Sequence, residues 1–207
     1  QKVLIIKTGY CEILDRQSNL REVSLGDVFR TTVMLHLYKD HEITWVTSKE
    51  AFPLLEGNPY IPKDRLLPFD FITALQIQSE EFDTTINLEK VPGICALFDK
   101  IKARKSRYGF TFNTQNGRAE ALENSSEILT YSINDIYKKE NKKSFQEHLF
   151  EMLGKKWGGE EYVLGYTPKS KEEYDVAFNV KVGLKWPHKA WSLDNWNRLE
   201  KLLKAEN

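Results

Sequence analysis

Short apolar runs alternate with segments of helical period along this chain, the pattern expected of βα units around a parallel sheet. Val3-Leu4-Ile5-Ile6 is an unbroken apolar run, as suits a strand buried on both faces. It predicts a strand over residues 3–7, and the spacing that follows predicts a helix over 27–38. Ile43-Thr44-Trp45-Val46-Thr47 predicts a second strand, with a short helix from 49 to 55 after it. Glu56-Gly57-Asn58-Pro59-Tyr60 then breaks the chain, because Gly, Asn and Pro favour turns. Further strands are expected at 65–67, 84–88 and 106–110, and further helices at 71–79 and 94–105. Phe82-Asp83 reads as a turn, and Pro92-Gly93 as a helix start. Residues 111–134 are polar and turn-rich, and predict an excursion carrying one or two short elements. Residues 144–153 form an amphipathic helix in which Phe145, Leu149, Met152 and Leu153 share a face, with Gly154 as its stop.

Residues 158–171, rich in Gly, Pro, Lys and Glu, read as an interdomain linker. A strand over 175–182, a loop rich in Trp and Lys, and a helix over 192–204 follow. One βα unit cannot bury both faces of its strand, so a second domain is expected to begin here. The fold class is therefore α/β with a Rossmann-like parallel sheet. Residues 1–165 make one domain, and 166–207 the linker and incomplete start of another.

Composition adds bounds. A chain 41% hydrophobic and 29% charged falls among ordinary soluble globular proteins. Thirty basic residues balance thirty acidic ones, so net charge argues neither for nor against a nucleic-acid partner. The apolar runs fall far short of the ~20 residues a membrane span needs. No signal peptide precedes the first strand, so a cytoplasmic protein is expected. Cys11 and Cys95 form no C-x-x-C pair and read as inert thiols.

Three constellations could carry chemistry. Ser24-Leu25-Gly26-Asp27-Val28 sets an acid at the start of the helix after the first strand. In an α/β protein that position faces the crevice outside the carboxyl ends of the strands. Asp27 there suits an N-cap, the commoner use of such a residue, and also a general base for a hydroxyl. The second runs from Asn179 to Trp191 and contains Gly183, Lys185 and Lys189 ahead of a helix capped by Ser192. Loop amides and lysines of this kind can cradle a diphosphate; alternatively, Trp186 and Trp191 pack on a surface and the lysines are solvated. The third is Lys100, Lys102, Arg104, Lys105 and Arg107, with Lys100 and Arg104 on one face of the expected helix. It offers either a dock for a phosphate-rich acceptor or a solvated helix end. No D-x-D, G-x-G-x-x-G or G-x-S-x-G is present. His36, His41, His148 and His188 are scattered without ligand spacing, so no zinc site is expected.

Taken in order, four segments resemble glycosyltransferase family 9, the ADP-heptose:lipopolysaccharide heptosyltransferases and their relatives. They are Val3-Leu4-Ile5-Ile6-Lys7-Thr8-Gly9, Gly26-Asp27-Val28-Phe29-Arg30-Thr31-Thr32, Ile43-Thr44-Trp45-Val46-Thr47 and Lys185-Trp186-Pro187-His188-Lys189-Ala190-Trp191. Asn58-Pro59-Tyr60-Ile61, Ile86-Asn87-Leu88 and Phe145-Gln146-Glu147 leading to Gly154-Lys155-Lys156-Trp157 also look like that family.

The resemblance implies a GT-B architecture, with an N-terminal acceptor domain and a C-terminal nucleotide-sugar domain facing across a cleft. It implies inverting transfer without metal or other cofactor, of heptose from ADP-heptose to lipopolysaccharide or another phosphorylated glycan or glycolipid. It also implies no nucleic-acid partner and a peripheral association with the inner membrane. Onto this chain it carries Asp27 as base and Lys189 on the donor phosphates, with Lys185 as a further donor contact; Gly183 and Gly26 are expected on the donor side as well. Arg30, Lys102, Arg104 and Lys105 complete the expected site on the acceptor side.

Two departures stand out. Residues 10–24 separate the first-strand glycine from Gly-Asp, and would either project over the cleft as a lid or acceptor-shaping loop or be a disordered surface loop. The family's base- and sugar-recognising segments correspond to positions beyond residue 207. A non-catalytic acceptor-binding module, or a subunit lacking a complete donor site, is the alternative. An NAD-type reading fails for want of the glycine fingerprint.

Overall fold

The computed structural model describes residues 1–10, 23–167, 169, 171, 173–182 and 187–206. They form two compact units, Gln1–Thr167 and Pro168–Asn207. The first is an α/β unit around a six-stranded sheet. Its strands are β1 (Lys2–Ile6), β2 (Glu42–Thr47), β3 (Leu66–Pro68), β4 (Glu81–Asn87), β5 (Lys102–Asn113) and β6 (Arg118–Ala121). Their order is β3-β2-β1-β4-β5-β6, parallel from β3 to β5, with β6 antiparallel to β5. The order reverses between β1 and β4, and that is where a doubly wound sheet opens a crevice at its carboxyl edge.

Strand β1 shows why the sheet is covered on both sides. Val3 and Ile5 point into a cluster with Ile43, Trp45, Met34, Leu149 and Phe150. Leu4 and Ile6 point the other way, among Val46, Ile77, Phe82, Ile94 and Phe98. Alternate residues of a strand face opposite sides, so an unbroken apolar run needs a layer on each. The helices α1 (Leu25–Phe29), α2 (Phe52–Leu55), α3 (Phe71–Ser79), α4 (Pro92–Phe98), α5 (Ser126–Ile133), α6 (Asp135–Glu140) and α7 (Phe145–Met152) complete the unit.

Several expectations require correction. The helix expected over 27–38 is α1 followed by a 3-10 segment, Thr32–Tyr38. Thr31 and Thr32 explain the break: their hydroxyls donate to the carbonyls of Val28 and Phe29, at 2.7 and 2.8 Å, in competition with the helical ladder. The helix expected over 94–105 ends at Phe98, and Lys102–Asn113 is a strand. Its basic residues sit beside acids of β4: Arg104 pairs with Glu81 at 2.7 Å and Lys105 with Asp83 at 3.5 Å. Opposite charges across neighbouring strands favour pairing, and here they accompany the strand reading of an ambiguous pattern. Phe82 and Asp83 belong to β4 and coincide with a register shift against β5 rather than with a turn. The first half of the expected linker is built into this unit. Val163 is buried, its carbonyl accepts from Asn58 Nδ2 at 2.9 Å, and Gly165 N–H donates to the Leu54 carbonyl at 2.9 Å.

In the second unit, the described residues at 175–182 join no strand ladder. A strand there has no neighbour to pair with among the described residues, so its apolar pattern has nothing to act on. A 3-10 turn, Pro187–Lys189, and helix α8 (Leu193–Glu206) follow. Ser192 Oγ accepts from Asn195 N–H at 3.2 Å, the expected cap. Trp196 of α8 stacks against Trp191 and Phe178, at centroid distances of 4.9 and 5.2 Å. Among the described residues no helix is long and apolar enough to cross a membrane.

Candidate functional site

At the carboxyl edge, where a doubly wound sheet is expected to bind its ligand, β1 and β4 end side by side. Leu88 N–H donates to the Ile6 carbonyl at 3.0 Å, and Lys7 N–H to Val46 O at 3.0 Å, so both strand ends are fixed. Just beyond them, Glu89 turns its carboxylate toward the end of β1. Its Oε1 accepts from the backbone N–H groups of Thr8 (2.6 Å) and Gly9 (2.8 Å), and Lys7 Nζ lies 3.2 Å away. Glu89 is 2% exposed and the Lys7 side chain 11%, so this is a buried, hydrogen-bonded ion pair. Buried charges persist where each has such partners.

Asn87 braces the neighbouring strand end. Its Nδ2 donates to the Phe110 carbonyl at 2.7 Å and its Oδ1 accepts from Glu89 N–H at 3.1 Å. Cys95 Sγ donates to the Glu89 carbonyl at 3.2 Å, and burial pushes the thiol up to about 12. A buried thiol raised in this way carries little thiolate at neutral pH, in keeping with the inert reading of Cys95.

The way α1 reaches this edge answers the question raised by the long segment before it. The Gly9 carbonyl accepts from Ser24 N–H at 2.8 Å. Ser24 is thus held against Gly9, and the helix start lies directly beside the end of β1. Gly9 has φ +79°, and a Cβ there would meet the Ser24 carbonyl at 2.9 Å, so glycine suits both the turn and the approach. Residues 11–22, including Cys11 and the body of the expected lid, lie outside the described residues.

Asp27 is not the cap. Ser24 occupies the cap position, without a side-chain hydrogen bond, and Asp27 sits in the first turn with its N–H donating to the Ser24 carbonyl at 3.1 Å. Its Oδ1 pairs with Arg30 Nη2 at 2.8 Å, both side chains being 40% exposed. The Arg30 guanidinium in turn lies 3.8 Å over the ring of Phe145, the first residue of α7. Arg30 therefore holds the carboxylate rather than standing free for an acceptor. Gly26 has open space where a Cβ would be, so nothing in the fold demands glycine there.

The remaining expected site residues are spread apart. Lys102, Arg104 and Lys105 lie at the amino end of β5, the opposite edge of the parallel sheet from the crevice. A pocket of about 410 Å³ at that edge is lined by Lys2, Glu42, Glu80, Glu81, Asp83 and Arg104. Its charges are engaged with one another and with Arg65, as in Arg104–Glu81 and Arg65–Glu42. Lys189 lies in the second unit, at the end of its 3-10 turn. Gly183, Lys185 and Trp186 lie outside the described residues.

Two crevice residues escape a sequence reading. Lys7 and Glu89 are 82 positions apart, and only the adjacency of β1 and β4 joins them. The available signal is a charged residue within two positions of the end of each of two buried strands. Comparison of the chain with protein-family models, with curated proteins and with solved structures finds no match.

Proposed function

We propose that this chain carries the acceptor side of an inverting, metal-independent glycosyltransferase of the heptosyltransferase type. The observation that carries the reading is the hydrogen bond from Ser24 N–H to the Gly9 carbonyl. It holds Ser24 against Gly9 and leaves Gly26-Asp27 next to the end of the first strand, as the family's motif order requires. In this reading the unit Gln1–Thr167 is the first of two Rossmann-like domains of a GT-B enzyme, and Pro168–Asn207 begins the donor domain.

Asp27 is the base. With Oδ1 held by Arg30, Oδ2 takes the proton from an acceptor hydroxyl as its oxygen attacks the anomeric carbon of a nucleotide-activated sugar. A carboxylate is a weak base, but the hydroxyl grows acidic as the new C–O bond forms, so the proton can move late. Arg30, fixed over Phe145, is a positioning residue for that carboxylate. The buried Lys7–Glu89 pair shapes the crevice floor. Lys189, with Lys185 and Gly183 in the same motif, is assigned to the charge that builds on the leaving diphosphate. The acceptor is a phosphorylated glycan or glycolipid and the donor ADP-heptose, used at the inner membrane surface.

The Asp27–Arg30 pair also favours a second reading, a non-catalytic acceptor-binding module in which the pair is only structural. A transfer assay of the full-length protein against ADP-, UDP- and GDP-sugars separates the two. Turnover with ADP-sugars supports the enzyme. Turnover confined to other donors overturns the heptosyl assignment. Acceptor binding without any turnover supports the module.

A further inference from the structure

Glu127 lies on α5, while His148 and Glu151 lie three residues apart on α7 and so share one face of that helix. The structure gathers one ligating atom of each within 4.8 Å of the other two. Histidine tautomer is the key to what this cluster can hold. Asn141 Nδ2 donates to the Lys143 carbonyl at 2.6 Å, and Asn141 Oδ1 accepts from Lys143 N–H at 3.2 Å. The amide orientation is thereby fixed, and Oδ1 is the atom 2.9 Å from His148 Nε2. Nε2 must carry the hydrogen, which leaves a lone pair on Nδ1 in the neutral ring.

That Nδ1 has no hydrogen-bond partner, although the His148 side chain is fully buried. It faces Glu127 Oε1 at 3.6 Å, and the ring stacks on Tyr131 at a centroid distance of 4.7 Å. A buried acceptor nitrogen with no donor in reach is costly. The carboxylates beside it do have donors, Tyr137 OH reaching Glu127 Oε1 at 2.8 Å, but a cation at the centre of the three would also give the ring nitrogen its partner. Positive charge already gathers there: Lys143 Nζ bridges Glu127 Oε1 at 3.0 Å and Glu151 Oε2 at 2.8 Å. Its side chain is 41% exposed, so its ammonium can leave for solvent.

We propose that His148 Nδ1, Glu127 and Glu151 form a site for a divalent transition ion of the zinc class, which displaces the Lys143 ammonium. One imidazole and two carboxylates match the donor set such ions accept, with water completing the shell. Asn141 plays the part of the outer partner that sets the tautomer and aims the ring. Two carboxylates balance the ion's charge, whereas one ammonium leaves a residual negative charge. Tetrahedral zinc holds its ligand atoms roughly 3.4 Å apart. The half-exposed glutamates, at 48% and 43%, have the freedom to close the remaining distance. The ion would clip α5 to α7. It takes no part in the transfer chemistry proposed above and does not depend on that reading.

The test is calorimetric titration of the chelator-stripped full chain with zinc chloride, with thermal melting alongside. One equivalent is expected to bind and to raise the melting temperature. Glu127→Gln and Glu151→Gln are each expected to weaken binding about tenfold or more, and Asn141→Ala roughly tenfold. Lys143→Met removes the competing cation and is expected to tighten binding. The two glutamate variants alter half-exposed side chains, so the outcome does not hang on whether a His148 variant folds. The proposal is overturned if no stoichiometric zinc binding occurs, if the glutamate variants titrate like the wild type, or if magnesium binds equally well.

Discussion

Gly109 has φ +97°, and a Cβ there would come within 1.8 Å of the Asn87 carbonyl oxygen. Its N–H donates to Ser125 Oγ at 2.8 Å, so the backbone has no room to move aside. Gly109→Ala is expected to cost about 4 kcal/mol or more in urea unfolding, because both the dihedral and the clash oppose it. Gly26→Ala provides the contrast. With open space around it, the change is expected to stay within about 1 kcal/mol and to leave the fold intact. For Glu89→Gln the issue is charge rather than space. The amide still accepts from Thr8 and Gly9, but Lys7 is left buried without its counter-charge. A loss of about 3 kcal/mol is expected, partly recovered in the double variant with Lys7→Met. Full stability in the single variant would show that the pair contributes no net attraction.

At the level of elements, the chain was legible where burial is one- or two-sided and regular. β1, β2, β3 and α7 follow their hydrophobic patterns closely, and the stop at Gly154 has the positive φ, +68°, that its position suggests. Legibility failed where partners far along the chain decide. Lys102–Asn113 carries cations at spacings that suit a helix as well as a strand, and it is a strand paired with the acids of β4. The Thr31-Thr32 break depends on hydroxyl competition within a pattern that otherwise reads as one helix.

Arg65 shows a similar long-range device. It pairs with Glu42 at 3.1 Å and Glu80 at 2.8 Å, tying the start of β2 to the end of α3. Burial pushes the Glu80 carboxyl up, but the Arg65 and Gln76 hydrogen bonds outweigh it and hold the group below its ordinary value. A carboxyl lowered by folding stabilises the protein above its unfolded pKa, and that stability is lost as pH falls through the folded value. Wild-type melting temperature is therefore expected to drop between about pH 5 and 3, and Glu80→Gln to flatten part of that drop. Parallel pH profiles would remove Glu80 from the acid response.

For the molecule as a whole, the α/β class and the covered parallel sheet were readable from alternating βα patterns, and strand order then located the carboxyl edge where β1 and β4 end side by side. The place of Asp27 at the start of α1 was readable too, because it depends on a local strand-to-helix connection. The stacking of Arg30 on Phe145 was not, since α7 begins over a hundred residues later, whereas the Asp27–Arg30 pair is a local one three residues apart. Lys7–Glu89 and the Glu127–His148–Glu151 cluster were hidden for the same reason: each joins residues that only the tertiary fold makes neighbours. The reading of 175–182 as a strand presupposed a partner strand that the described residues do not supply.

The central claim is that Asp27 performs chemistry rather than merely pairing with Arg30. An exposed pair of this kind contributes at most about 1 kcal/mol, so Asp27→Ala should leave melting and circular dichroism close to wild type. The deciding measurement is the turnover of that folded variant in the full-length protein, with an ADP-sugar donor and a glycolipid acceptor. A fall of roughly a hundredfold or more is predicted, the range expected for loss of a general base. Wild-type turnover in the folded variant would contradict the account.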